Sequence, residues 1–294
     1  MSTITAAPQR PAARWIVPLV KAIAIVAIIA WSLFPIYWAL NTSFMSTASA
    51  QQFPPPLFPH PFDVSNYSQI LNPSAGAGDQ GASGFWQSLL NTFIQAGAAT
   101  ILTIGLAICA AYAFTRLTFP FKRALFFVVL STMAIPVYAI LIPLYRLMSD
   151  LGLVGTHFAI ILVDIASFMP LALWILYSQF ESIPKSLEEA AFVDGASPFT
   201  ALWRIIVPVA MPGIISAGII VFLLAWGNFV FPLVLTGTGA TTPLTVWIST
   251  LQGRHIIPYT LLNAAGILAI AVPLIVVGFL SRKIVAGLLA GSTK

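Results

Sequence analysis

The sequence predicts an all-α integral membrane protein with six transmembrane helices, on three observations. Apolar residues make up 59% of the 294-residue chain and charged residues only 7%, against about 45–50% and about 25% in a soluble domain. Apolar runs long enough to cross a hydrocarbon core, roughly 20 residues, recur along its length. The Lys and Arg residues cluster between alternate runs. Eight Asp and Glu with thirteen Lys and Arg cannot cover a body of this size in water, but they suffice for short loops on two sides of a bilayer.

The apolar stretches are residues 15–40, 87–114, 124–147, 158–180, 209–235 and 261–281. The first is too long for the core of a signal peptide, and Trp31, Pro35, Tyr37 and Trp38 replace a small-residue cleavage site, so a retained helix is expected. Residues 42–85 are rich in Pro, Gly and Ser, with Pro54-Pro55-Pro56 and Gly76-Ala77-Gly78, and read as an irregular loop. Residues 237–258 form a second loop. Pro136, Pro143, Pro170, Pro212, Pro232 and Pro273 fall inside the stretches; a bundle tolerates them where neighbouring helices or cavity water take the freed carbonyls. Trp15, Trp31, Trp38 and Trp86 read as interface anchors.

Basic residues orient the helices. With the N-terminus inside, Arg10, Arg14, Lys21, Arg116, Lys122, Arg123, Lys185, Arg204, Arg282, Lys283 and Lys294 are cytoplasmic, and only Arg146 and Arg254 face outward. Eleven against two places both termini and residues 181–208 in the cytoplasm, and residues 42–85 and 237–258 outside. The expected organisation is a cytoplasmic tail (1–14), a transmembrane domain (15–281) and a second cytoplasmic tail (282–294). The net charge of +5 does not mark a nucleic-acid binder, because no dense basic run with aromatics occurs. The lone Cys109 excludes an intrachain disulfide and a cysteine zinc site.

The segment 182–208 carries the most information. Glu188-Glu189-Ala190-Ala191-Phe192-Val193-Asp194 favours a helix, Gly195 can end it in a left-handed turn, and Ser197-Pro198 supplies a cap and a first-turn proline for a second helix. The product is an elbow. Its apolar groups Phe192, Val193, Phe199 and Trp203 have no lipid to cover them and need a partner's groove.

This pattern resembles the EAA loop of ATP-binding-cassette importer permeases: Glu189, Ala190, Ala191, Gly195, Ile205 and Pro208 stand at its positions, with Val207 where Leu is usual. Further segments resemble the carbohydrate, MalG-like branch: Ala111-Tyr112-Ala113-Phe114-Thr115-Arg116 followed by Phe119 and Lys122-Arg123, Met133-Ala134-Ile135-Pro136, Ile142-Pro143-Leu144-Tyr145, and Leu151-Gly152-Leu153. Phe121 replaces the usual Gly, and Ala225-Trp226-Gly227-Asn228-Phe229 departs from the usual Trp-Asn-Asp or Trp-Asn-Glu.

The resemblance implies the MetI/MalG-like permease fold in a bacterial or archaeal cytoplasmic membrane. It also implies a second, nonidentical permease chain, two ATPase subunits and an extracytoplasmic solute-binding protein as partners. Glu189, Ala190, Ala191, Asp194, Gly195, Arg204 and Pro208 would form the ATPase-coupling joint. No cofactor is expected in this chain: no Gly-Lys pair occurs, so it lacks a P-loop, and ATP and Mg would be bound by the partner ATPase. The expected cargo is a carbohydrate; glycerol phosphate or another polyol is the alternative.

No zincin or nucleophile-elbow motif occurs, and no enzymatic activity is expected. Gly81-Ala82-Ser83-Gly84 resembles the nucleophile motif of intramembrane rhomboid proteases, but Ser83 falls in an outer loop. A self-sufficient secondary transporter would use Asp164, an acid inside the fourth stretch; the alternative is a structural acid paired with Arg146 or reaching water. Asn228 and Trp226 are candidates for the translocation path, or equally for glue between helices. The apolar tail around Ile284, Val285, Leu288 and Leu289 would contact the ATPase pair or lie on the membrane surface.

Overall fold

A computed structural model of the chain describes residues 13–72, 84–237, 239–251 and 259–292, with side chains between 17 and 279. No strand forms among them. Among the described residues four helices are long and apolar enough to cross a membrane: most of α1 (Ala13–Ser43), α4 (Phe85–Arg116), α7 (His157–Glu181) and the Tyr259–Phe279 part of α14 (Tyr259–Ser292). Two further helix pairs among the described residues are long and apolar enough when taken together, but each is bent. Lys122–Ala134 meets α6 (Val137–Asp150) at 99°, and Pro198–Val209 meets α11 (Met211–Trp226) at 79°.

The third and fifth stretches, each expected as a helix with internal prolines, are therefore bent, with a proline at or beside each bend. Pro136 has no N–H and its ring excludes the carbonyl four residues back, so α5 (Lys122–Ser131) tightens into a 3₁₀ turn at Thr132–Ala134. Ile135 is extended, as residues before proline are, and Pro136 caps α6 rather than lying inside it. Pro212 stands in the first turn of α11, beyond the bend at Ala210. Pro143, Pro170 and Pro273 remain interior to helices.

The fifth stretch stops again at Trp226, and α12 (Val230–Leu235) restarts after Gly227-Asn228-Phe229. Pro232 has no N–H to offer the Asn228 carbonyl. The freed Asn228 carbonyl accepts instead from Thr245 Oγ1 at 2.8 Å.

The chain divides into two compact units: one holds α1 to Tyr67 with the start of α14 to Ile267, the other the remainder. In the first, part of the expected irregular loop is an ordered cap. Asn66 Nδ2 donates to the carbonyls of Ser43 (3.1 Å) and Met45 (3.0 Å), and Thr260 Oγ1 donates to Asn66 Oδ1 at 3.1 Å. Phe44 stacks on Phe62 and packs against Tyr67. Asp63 Oδ1 accepts from the Ser65 N–H at 2.8 Å, which holds its carboxyl below the usual range. The short helices α2 (Thr47–Ala50) and α3 (Ser65–Leu71) lie in this segment.

The second unit is built on α4, α7 and α11, whose facing residues Ala107, Ala111, Ala172, Leu173, Leu176, Phe180, Ala217 and Val221 are buried together. Small residues let these backbones approach closely where lipid offers no hydrophobic drive.

Phe121 is left-handed (φ 58°) at the start of α5, with its ring exposed. A left-handed non-glycine residue costs about 1–2 kcal/mol. Phe121→Gly is expected to raise the thermal midpoint of the detergent-purified chain; a lower midpoint would show that the ring stabilises the turn.

Candidate functional site

The elbow forms between α7 and α11. Helix α8 (Ser186–Val193) ends in a Schellman motif: the Gly195 N–H donates to Phe192 O at 3.0 Å and the Ala196 N–H to Ala191 O at 2.9 Å, with Gly195 at φ +84°. Ser197 Oγ then accepts from the Thr200 N–H at 3.2 Å, and Pro198 opens α9 (Pro198–Ala201). A π-helical turn over Leu202–Ile206 and α10 (Val207–Val209) carry the chain to the bend at Ala210. Segment 182–208 is thus mostly helical. Val193 is 88% exposed and Phe199 71%, with Phe192 and Trp203 also exposed.

Of the predicted coupling residues, Glu189, Ala190, Asp194, Gly195, Arg204 and Pro208 are exposed and Ala191 is half-buried. Glu188 behaves differently. Helix α8 turns it inward, where Arg116 Nε donates to its Oε1 and Tyr112 Oη donates to its Oε2 at 3.2 Å. Arg116 Nη2 also donates to the carbonyls of Phe180 (3.0 Å) and Ile183 (2.8 Å). Sequence reasoning missed this cluster. Its trace was Tyr112 and Arg116 one turn apart at the end of an apolar stretch, facing a Glu pair of which only one member could point inward.

Within the apolar part, Asp164 and Asn228 come together: Asn228 Nδ2 donates to Asp164 Oδ1 at 2.6 Å. Asp164 is 0% exposed, and its Oδ2 has no hydrogen-bond partner among the described residues. The partner of Asp164 is this amide rather than Arg146, the pairing offered as the structural alternative, because the break at residues 227–229 delivers Asn228 to α7. Trp226 is buried, and its Nε1 donates to Ala269 O at 3.2 Å. Asn228 alone of the three is partly exposed.

The second loop is a docked element. Asn91 Nδ2 donates to Ala240 O (2.7 Å) and Thr242 O (3.0 Å), Gln95 Nε2 to Thr241 O (2.7 Å), and the Leu244 N–H to Thr92 Oγ1 (2.7 Å). Helix α13 (Leu244–Thr250) buries Leu244, Val246 and Trp247. Ser83 and Arg254 lie outside the described residues, as do the side chains of Trp15 and of the tail beyond 279. His157 Nδ1 is 3.1 Å from Gln95 Nε2. Among the described residues no cluster of His, Cys, Asp and Glu could hold a metal.

Long apolar helices, two bent helix pairs and an exposed two-helix elbow describe a multi-span membrane protein. The family described as binding-protein-dependent transport system inner membrane components matches residues 103–289, and the chain belongs to it. Its relatives include the sulfoquinovosyl glycerol transport system permease protein SmoH of Agrobacterium fabrum, 33% identical over 262 residues and covering 89% of each chain. The trehalose transport system permease protein SugB of Mycobacterium tuberculosis is 34% identical over 269 residues, 91% of this chain and 94% of that one. The fold matches a chain of the crystal structure of a bacterial ABC transporter involved in the import of the acidic polysaccharide alginate, with a TM-score of 0.78 and 24% identity over 94% of this chain and 99% of that one.

Proposed function

We propose that this chain is one of two permease subunits of an ATP-driven carbohydrate importer, and that its elbow docks on a separate ATPase. The observation that carries the reading is the elbow itself: a capped, two-helix turn whose buried side is tied to the spans and whose outer side presents Val193 and Phe199 almost bare. Water-facing apolar groups of this kind need a partner's cleft. Glu189, Ala190, Ala191, Asp194, Gly195, Arg204 and Pro208 form that face, with the Glu189 carboxylate free to pair with a basic group of the ATPase.

Both termini and the elbow are assigned to the cytoplasm by the Lys and Arg distribution. Residues 15–281 form the transport domain, and the same distribution assigns residues 42–85 and 237–258 to the outer side. Relatives named for trehalose and for sulfoquinovosyl glycerol support a glycosidic cargo. Asn228, partly exposed beside Asp164, is assigned to the path, with Trp226 and Asp164 holding its backbone break in place.

The test is co-purification of the ATPase with Val193→Asp and Phe199→Asp chains, together with uptake of labelled disaccharides by the reconstituted complex. Each carboxylate puts a charge on the apolar docking face, so the ATPase is expected to be lost and uptake to cease while the chain stays in the membrane. Retention of the ATPase by both variants would overturn the docking role.

A further inference from the structure

We propose that Arg116, Glu188 and Tyr112 form a transmission latch that passes movement of the elbow to α4. This rests on the reading of the elbow as the ATPase joint and goes beyond it, because these residues lie on the elbow's inner side, bonded to one another and to the end of α7. By covalent connection the elbow leads only to α7, through residues 182–185, and to α11, through α9 and α10. Helix α4, the third member of the core, has no such link. It reaches the elbow through its final residue, Arg116, and through Tyr112 one turn earlier, both bonded to the Glu188 carboxylate.

Three helix ends converge on one guanidinium. Arg116 is the last residue of α4, Phe180 and Ile183 offer carbonyls at the end of α7, and Glu188 stands in the first turn of α8. Each placement agrees with the helix dipoles: a cation at two C-termini and an acid at an N-terminus. The side chains of Arg116 and Glu188 are only 7% and 5% exposed. A cleft of about 260 Å³ opens beside the pair, lined by Lys185, Glu189, Phe192 and Leu117. On this side polar bonds rather than close packing join α8 to α4, so a shift of α8 is transmitted by the ion pair. Buried charges so paired hold one geometry, because separating them leaves both uncompensated.

Arg116 and Glu188 are therefore positioning residues for coupling, distinct from the docking face. The test uses the whole transporter in proteoliposomes: this chain, its partner permease, the ATPase and the loaded binding protein. Glu188→Gln removes the charge but keeps the shape. The double variant Arg116→Met with Glu188→Met replaces the pair by apolar groups of similar length, a change that buried ion pairs often tolerate without loss of stability. Both are expected to retain the ATPase and its receptor-stimulated hydrolysis while solute imported per ATP falls about tenfold, within the usual range of coupling free energies. An unchanged ratio in both would overturn the latch. Loss of the ATPase would reassign the residues to docking, and loss of the double variant from the membrane would reduce them to a folding element; either result also overturns it. Failure of the docking reading appears separately, in the Val193→Asp and Phe199→Asp chains.

Discussion

A Gly195→Val chain is expected to enter the membrane normally and to import about tenfold less solute, because a left-handed residue costs about 1–2 kcal/mol when it carries a side chain and more when that side chain is β-branched. The position is unusually clean. Gly195 sits at φ +84°, and an added Cβ would meet nothing within 4 Å, so the whole effect comes from the backbone. A valine escapes the strain by leaving the left-handed region, which breaks the Gly195-to-Phe192 and Ala196-to-Ala191 bonds and redirects α9. The apolar face of the elbow is then split. Gly195→Asn is the control, because asparagine tolerates this region through local hydrogen bonds, and it is expected to keep most of the uptake. Normal uptake by Gly195→Val with the ATPase still bound would show that the elbow is only a linker.

Asn91→Leu is expected to release residues 239–251 from α4. Asn91 is 1% exposed, and its amide serves two backbone carbonyls while its oxygen accepts from Gln87 Nε2 at 3.0 Å. Leucine comes close to its volume and donates nothing. Stranding the carbonyls of Ala240 and Thr242 costs about 1–3 kcal/mol each, and the segment can recover this by lifting away to water. The measurement is the rate of thiol labelling at Val246→Cys, a buried position on α13, in a chain whose exposed Cys109 has been changed to Ala. Faster labelling when Asn91→Leu is added is the expected result. An unchanged rate would mean that the Gln95 and Thr92 bonds hold the segment without Asn91, and that the polar stripe on α4 is redundant.

The elbow was legible in detail because its determinants are local. A glycine at the end of α8, a serine cap and a first-turn proline act within a few residues of one another, and the resulting exposure of Phe192, Val193, Phe199 and Trp203 matches the expectation. The prolines were visible too, yet the bends and the stop after Trp226 were not read from them. Pro136 and Pro232 each forbid a helical bond; whether the helix kinks or stops depends on where the freed carbonyl finds a partner, and for Asn228 that partner, Thr245, lies in the next loop.

By itself the sequence determined that this protein lives in a membrane, roughly where its helices run, and that a capped elbow joins its fourth and fifth apolar stretches. Those properties follow from hydrophobic length and short-range backbone geometry. The tertiary structure alone decided which of two adjacent acids is buried, that Asp164 is bound by Asn228 rather than Arg146, and that residues 239–251 are docked on α4. Each of these is a polar contact between residues 64 to 152 positions apart. In an apolar interior such groups must find partners, but which partner is near is set by helix packing and by the rotation of each helix about its axis, and neither is written in a local pattern.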